Sequence, residues 1–294
     1  MIVPEFQYLV PNSTQEACTL LAKYGTDAKL LAGGTDLLVK MKGGLIKPSY
    51  LVSLKRLDEL KGVQYQEGVG VVIGARTTHN ELVTSPVLRK RYPSVCAAAE
   101  GMAGYEIRNL GTIGGNLVNA VPSADLPPIL IALAAKARIV GTQGERTVAL
   151  EDFFTGPGKT VLQSHEILTQ IIILDQATTG SKYLKFGLRK AEALAVVGVA
   201  SGVAMDNGMV KDIRIALGAV APTPLRACAA EDVLRGQRPT QALLTEAGRL
   251  AAAASKPISD IRGSAEYRRH LVEVLTRESV KAAIEESHRH SGSI

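Results

Sequence analysis

Two short segments with paired glycines stand out as candidate ligand-binding loops. One is Leu31-Ala32-Gly33-Gly34-Thr35-Asp36-Leu37, at the end of an apolar run; the other is Thr112-Ile113-Gly114-Gly115-Asn116-Leu117. Paired glycines let a backbone approach an anion closely and turn successive N–H groups toward it, while Thr and Asn add side-chain donors. One such loop alone is more often an ordinary turn than a site. Two of one design, about 75 residues apart, point to a diphosphate gripped from both sides. Neither segment gives GxGxxG, so the Rossmann dinucleotide fingerprint is absent. Gly158-Lys159-Thr160 imitates the end of a Walker A loop, but Phe153 stands where that motif needs its first glycine, so GPGKT reads as a structural turn.

Other reactive residue types are isolated. His79, after Thr77-Thr78, could be a nucleophile or a covalent flavin attachment point, but with no partner motif it reads as part of a helix-capping turn. His288 and His290 lie in a polar tail that reads as disordered rather than metal-binding. No HExxH, paired-carboxylate constellation or GxSxG elbow is present, so hydrolase chemistry has little support. The three cysteines, Cys18, Cys96 and Cys228, are far apart and odd in number, which argues against a disulfide framework. A thiolate-held iron–sulfur cluster usually takes four cysteines, which this chain alone cannot supply.

Composition narrows the class. With 294 residues, 46% apolar and 21% charged, the sequence is that of an ordinary globular protein, and its length favours more than one domain. The longest weakly polar run, Ala193 to Met205, falls short of the roughly 20 residues a membrane-spanning helix needs. The N-terminus has no basic segment leading into a long apolar one, so a cytoplasmic location is expected. Net charge is +6, but basic residues are interleaved with acids and aromatics are only 4%, which disfavours a nucleic-acid partner.

The elements that must position the loops follow from periodicity. Ser13-Thr14-Gln15-Glu16 reads as a capping box before a helix carrying Ala17, Leu20, Leu21 and Tyr24, closed by Gly25. Ala28 to Ala32 and Tyr50 to Leu54 read as strands, with a short helix from Asp36 to Met41. Val63–Tyr65 and Val69–Ile73 are paired strands, Thr78-x-x-Glu81 is a second capping box, and Leu88 to Met102 has helical periodicity. PSADLPPILIALAAKA is a helix entered through prolines, with Asp125 placed to cap it. RIVGTQGERTV is a hairpin, and Asp206-Asn207-Gly208 turns another between Val196–Met205 and Met209–Ala219. Helices over Thr240–Ser255 and Ser264–Glu286 complete a sheet with helices on one face. The expected divisions are 1–56, 57–176 and 177–288.

At AGGTDLL and TIGGNL together, the sequence resembles the FAD-binding medium subunits of the molybdenum hydroxylases, the family of xanthine dehydrogenase and aerobic-type carbon monoxide dehydrogenase. The resemblance runs the whole length, through FQYLVPNSTQEACTLLAKYG, IGARTTHNEL, IRNLGTIGGNL, PSADLPP, FFTGPGKT with EILTQI, KFGLRKAEALAVVGVA and IRIALGAVAPTPLRA. It implies an α+β fold: two N-terminal α/β subdomains that bind FAD, and a C-terminal α+β domain of antiparallel sheet and helices. The FAD diphosphate would lie between Leu30, Leu31, Ala32, Gly33, Gly34, Thr35, Asp36 and Leu37 on one side and Thr112, Ile113, Gly114, Gly115 and Asn116 on the other. By the same resemblance, Asp125 would hydrogen-bond the ribityl chain or ring edge. Leu168 and Lys185 would contact the flavin, and Ala103 or Gly104 would approach it through backbone. Tyr105-Glu106 departs from the small or amide residues frequent there in the family, and no cysteine-bearing insertion is present.

That resemblance implies an oxidoreductase subunit with no catalytic side chain of its own toward the organic substrate. Electrons would come from 2Fe-2S clusters on an iron–sulfur small subunit, after chemistry at a molybdenum cofactor on a molybdopterin large subunit. They would leave through FAD to NAD or another acceptor. A self-contained FAD-dependent oxidase or reductase is the alternative; it needs a general base, and the sequence offers no credible one. A non-enzymatic subunit with a vestigial flavin site is disfavoured by the intact glycine loops.

Overall fold

The computed structural model describes residues 3–175, 180–189 and 192–291. The chain builds three successive units, each around its own sheet. In the first, strands Gln7–Leu9 and Ala28–Leu31 flank Tyr50–Ser53, all parallel. The helix Thr14–Tyr24 covers this sheet through Ala17, Cys18 and Leu21, which meet Ala28, Val52 and Leu54 in one apolar cluster. Ser13 caps the helix by accepting from the Glu16 N–H, but the Glu16 carboxylate reaches back to the Asn12 N–H at 2.7 Å instead of closing the box on Ser13. Gly25 ends the helix with φ +52, a backbone shape glycine adopts at no steric cost.

The second unit has a five-stranded antiparallel sheet in the order Val63–Gln66, Gly70–Gly74, Ile167–Leu174, Lys136–Gly141, Gly144–Ala149. Six short helices fill the chain between its second and third strands in sequence. The expected single helical stretch from Leu88 to Met102 is two helices, Pro86–Arg91 and Pro93–Glu100, broken at Tyr92. Pro93 is the cause: its ring disfavours helical backbone at the residue before it and removes the N–H needed for continuation. Thr78 forms a full capping box with Glu81 ahead of His79–Thr84. GPGKT is the expected turn, between strands Phe154–Gly156 and Lys159–Thr160.

The third unit is an antiparallel sheet, Gly180–Phe186, Val197–Asp206, Met209–Gly218 and Leu225–Arg226. Its hairpin turns at Asn207 and Gly208, both with positive φ, as the Asn-Gly pair predicts. One face carries Val199, Val203, Ile213 and Ile215 into a core with the helices Gln241–Ala254 and Ala265–Ser291. The other face joins the second unit's core through Tyr183, Ala200 and Ala216, against the helix Leu126–Ala132. Two buried hydroxyl pairs cross these seams, Ser94–Ser181 and Ser201–Ser279, each at 2.6 Å. The last helix continues to Ser291, so the tail around His288, expected to be disordered, is helical. Among the described residues no helix is long and apolar enough to cross a membrane.

Candidate cofactor site

The first glycine loop leaves the edge strand Ala28–Leu31. Leu54 N–H donates to the Leu31 carbonyl at 2.9 Å, closing the sheet, and the chain then turns through Gly34 at φ +74 into the helix Leu37–Lys42. Among the described residues, the N–H groups of Gly33, Gly34, Thr35 and Asp36 have no hydrogen-bond acceptor. Four consecutive donors on a half-exposed loop form the kind of row that receives an anion.

The second loop opens the helix Ile113–Asn119, and its donors point into the protein. Ile113 N–H donates to Thr77 O at 3.0 Å, Gly114 N–H to Ala75 O at 2.8 Å, and Asn116 N–H to Thr112 O at 2.9 Å. The Gly115 N–H is taken by the Thr112 hydroxyl at 3.0 Å. Gly114 has to be glycine, because a Cβ there would lie 2.7 Å from both Cβ and O of Ala75. What this loop leaves unsatisfied is a side chain: Asn116 Oδ1 is sealed from solvent with no partner.

The two loops touch. A Cβ on Gly33 would overlap the Leu110 carbonyl oxygen, so the first loop packs backbone to backbone on the entry to the second. Lys40, on the helix after the first loop, donates to Asn119 Oδ1 at 2.6 Å. An open row of backbone donors fits the diphosphate of a dinucleotide.

A second cluster lies where the second and third units meet. Lys185 Nζ is 2.8 Å from Asp125 Oδ2 and 3.1 Å from the Gly101 carbonyl, and the Tyr183 hydroxyl donates to Asp125 Oδ1 at 2.7 Å. Asp125 begins the helix Leu126–Ala132 but makes no side-chain cap: Pro127 and Pro128 occupy the positions whose N–H groups a cap would accept from and have none to give, and its oxygens accept from Lys185 and Tyr183 instead. Burial raises its carboxyl above the ordinary range, opposed by the Lys185 ammonium and the Tyr183 hydroxyl. Tyr183 is pushed well above the usual phenol value by burial and then by the adjacent carboxylate. Lys185 is therefore a fixed, largely buried cation and not a solvated strand lysine. It lines a cavity of about 500 Å³ together with Gly101, Phe186, Gly187, Arg189 and Glu192.

The other expected site residues distribute as follows. Ala103, at φ 38, and Gly104 lie on the loop that begins at Gly101, and a Cβ on Gly104 would come 2.7 Å from Glu192 Oε1. Leu168 is 4% exposed within the second unit's core and lines no part of the cavity. Its neighbour Thr169 accepts from the Ala75 N–H at 2.8 Å, and Ala75 seats Gly114. His79 is 5% exposed, with Nδ1 unpartnered. Burial, then the nearby Arg108 charge, push its pKa down to about 4, so the imidazole is neutral. Sequence reasoning missed Tyr183 and Arg108. Tyr183 had a signal: it is two residues before Lys185 on a strand and so shares its face. Arg108 had none, since its partners are backbone carbonyls and the side chain of Asn80, far off in sequence.

Fold and site together define a flavin-binding oxidoreductase subunit, with an open row of backbone donors in one place and a largely buried Lys185 beside a cavity in another. Comparisons with known proteins agree. Residues 4–173 match the FAD binding domain in molybdopterin dehydrogenase, and residues 182–283 match the CO dehydrogenase flavoprotein C-terminal domain. The carbon monoxide dehydrogenase medium chain of Hydrogenophaga pseudoflava is 38% identical over 284 residues, 96% of this chain and 98% of that one. A putative xanthine dehydrogenase FAD-binding subunit of Escherichia coli is 34% identical over 271 residues, 92% of each. Among solved structures, carbon monoxide dehydrogenase from H. pseudoflava superposes with a TM-score of 0.93 at 38% identity, covering 97% of this chain and 99% of that one. Quinoline 2-oxidoreductase from Pseudomonas putida gives 0.90 at 33% identity, covering 98% and 100%. The chain belongs to the family of FAD-binding medium subunits of the molybdenum hydroxylases.

Proposed function

We propose that this chain is the FAD-carrying electron-transfer subunit of a cytoplasmic molybdenum hydroxylase complex. A large partner would hold the molybdenum cofactor, and a small partner would hold 2Fe-2S clusters that feed electrons to this chain. NAD or another acceptor would take them onward. The observation that carries the reading is the row of free N–H groups from Gly33 to Asp36, abutting the second glycine loop. With only three cysteines, the chain needs partners for the clusters.

Bound FAD supplies the exchange of electrons singly or in pairs, and the protein's part is to hold the cofactor and tune its electronics. In this reading Gly33 to Asp36 bind the diphosphate through backbone donors, with Leu30, Leu31, Ala32 and Leu37 shaping that loop. Thr112 and Asn116 add side-chain contacts from the second loop, which Ile113, Gly114 and Gly115 hold rigid. Lys185 places a positive charge where the ring would gather negative charge on reduction. Asp125 acts through Lys185, fixing its ammonium. Ala103 and Gly104 approach the ring by backbone, and Leu168 acts from the core behind the second loop rather than at the cavity wall.

Reconstituting the purified chain with FAD tests this. Visible flavin absorbance that survives gel filtration is expected, and its absence defeats the proposal. The native complex should show iron–sulfur shoulders and two further subunits by mass. Bleaching of the chain purified alone by a small substrate would make it a self-contained flavoenzyme instead.

A further inference from the structure

Four consecutive carbonyls, those of Glu100, Gly101, Met102 and Ala103, are each held by a cation. Arg108 Nη1 lies 3.0 Å from Glu100 O, 2.8 Å from Met102 O and 2.8 Å from Ala103 O. Lys185 Nζ takes the fourth, Gly101 O, from the far side. A guanidinium terminal nitrogen carries two hydrogens, so at least one is shared between carbonyls. Arg108 is itself steered from outside the loop: its Nε donates to Asn80 Oδ1 at 3.2 Å, and Asn80 Nδ2 donates in turn to Tyr105 O and Asn109 Oδ1.

The clamped loop is strained. Ala103 has φ 38, in the left-handed region that an L side chain disfavours and glycine does not. Strain of this kind persists only where surrounding contacts over-determine it. Here those contacts are the Arg108 bonds to the carbonyls of Ala103 and its neighbours. The shape they enforce brings Gly101 to the cavity wall and its carbonyl to Lys185.

We propose that Arg108 is a positioning residue of the flavin site: its guanidinium holds Glu100–Ala103 in the strained shape in which that loop meets Lys185 and borders the ring. The assignment rests on the FAD reading above. Without the guanidinium, three carbonyls lose their donor, Ala103 relaxes to negative φ, and the Gly101 carbonyl leaves Lys185. Among the described residues, the Arg108 side chain makes no hydrogen bond to the loop at Gly33–Asp36.

The test uses the full chain and four variants: Arg108→Met, Arg108→Lys, Ala103→Gly and the Arg108→Met/Ala103→Gly double variant. ADP probes the diphosphate loop alone; FAD affinity and the visible circular dichroism of bound flavin probe the ring. Arg108→Met should keep ADP affinity within about twofold, weaken FAD about tenfold and change the visible dichroism, since hydrogen bonds to a charged group are being removed. Arg108→Lys should fall between, keeping the charge without the fork, and it stands in for Arg108→Met if far-ultraviolet dichroism shows that variant unfolded. Glycine adopts the left-handed shape freely, so Ala103→Gly should recover several-fold in FAD affinity in the Arg108→Met background, a larger factor than the same substitution gives in the parent. Unchanged FAD affinity and visible dichroism in Arg108→Met overturn the proposal, as does Ala103→Gly acting by the same factor in both backgrounds. If the parent binds no FAD, the flavin reading itself falls and takes this assignment with it, an outcome distinct from a parent that binds and a variant that is indifferent.

Discussion

Gly33-Gly34-Thr35 and Gly114-Gly115-Asn116 look like two copies of one device, and they are folded for opposite purposes. In the first, four consecutive N–H groups have no acceptor among the described residues; in the second, the four from Ile113 to Asn116 are all satisfied. Gly34 is glycine for its positive φ, whereas Gly114 is glycine because Ala75 leaves no room for a Cβ. The lesson is that paired glycines serve two separate needs, an unusual backbone angle and a close approach. Only the first of these loops leaves its donors open to a ligand. The first loop should therefore report on FAD and the second on the stability of the chain itself.

The largest effect expected from this contrast is on stability, at the closed loop. Gly114→Ala drives a methyl group into Ala75 backbone and side chain, and overpacking of this kind costs about 3 kcal/mol. Chemical denaturation of the FAD-free chain should show that loss in full. An FAD-free chain of unchanged stability would break the assignment of the second loop as a structural wedge.

A pH effect of similar size should come from His79, which packs against Gly111 at the entry to the closed loop. Its folded pKa is about 4 and its ordinary value 6.5, so above pH 6.5 both folded and unfolded chains carry it neutral. Between 6.5 and 4 the unfolded chain takes up a proton that the folded chain refuses, and stability is lost as pH falls, by up to about 3 kcal/mol. Comparing unfolding midpoints of the parent and His79→Gln from pH 7 to 4.5 measures this. The variant's curve should be flatter through that window, and parallel curves would remove His79 as the cause.

Much of this was legible locally. The Asn207-Gly208 hairpin, the Thr78 capping box and the GPGKT turn each depend on residues within a few positions of one another, and each formed as its signal requires. What was not legible depends on distant partners. Asp125 reads as a helix cap, but Pro127 and Pro128 leave its side chain no N–H to accept from; its oxygens go to Tyr183 and Lys185, about 60 residues away, which no local pattern carries. The two glycine loops were equally legible as loops, but the second closes two of its donors on Ala75 and Thr77, more than 35 residues upstream of Gly114, and the other two on its own Thr112. Leu88 to Met102 failed for a local reason, since apolar periodicity continued across a proline that the backbone could not.

At the open loop, Gly34→Ala puts a Cβ on a left-handed residue. That costs about 1–2 kcal/mol if the backbone stays in place. If the chain instead escapes to negative φ, the row of N–H groups is broken, and FAD affinity should fall by about tenfold, equivalent to roughly 1.4 kcal/mol. Titrating FAD into Gly34→Ala and Gly114→Ala side by side sharpens the contrast. The ratio of affinity loss to stability loss should be larger for Gly34→Ala, and the reverse ratio would mean that the closed loop is the main ligand contact.

The finest comparison is between the two threonines. Thr112→Val removes the hydroxyl that caps Ile113–Asn119 through the Gly115 N–H, and losing such a cap costs about 1 kcal/mol. The Thr35 hydroxyl has no hydrogen-bond partner among the described residues, so Thr35→Val should leave the FAD-free chain within about 0.5 kcal/mol of the parent. On adding FAD the order should invert. Thr35→Val then removes a donor from the open row, while Thr112→Val frees the Gly115 N–H to face whatever lies beyond the helix start. A freed donor partly offsets a lost hydroxyl, so the affinity change at Thr112 should be the smaller of the two. Equal FAD-free stabilities for both variants would mean that the Thr112 cap contributes nothing, and the division between an open and a closed loop would then rest on Ala75 and Thr77 alone.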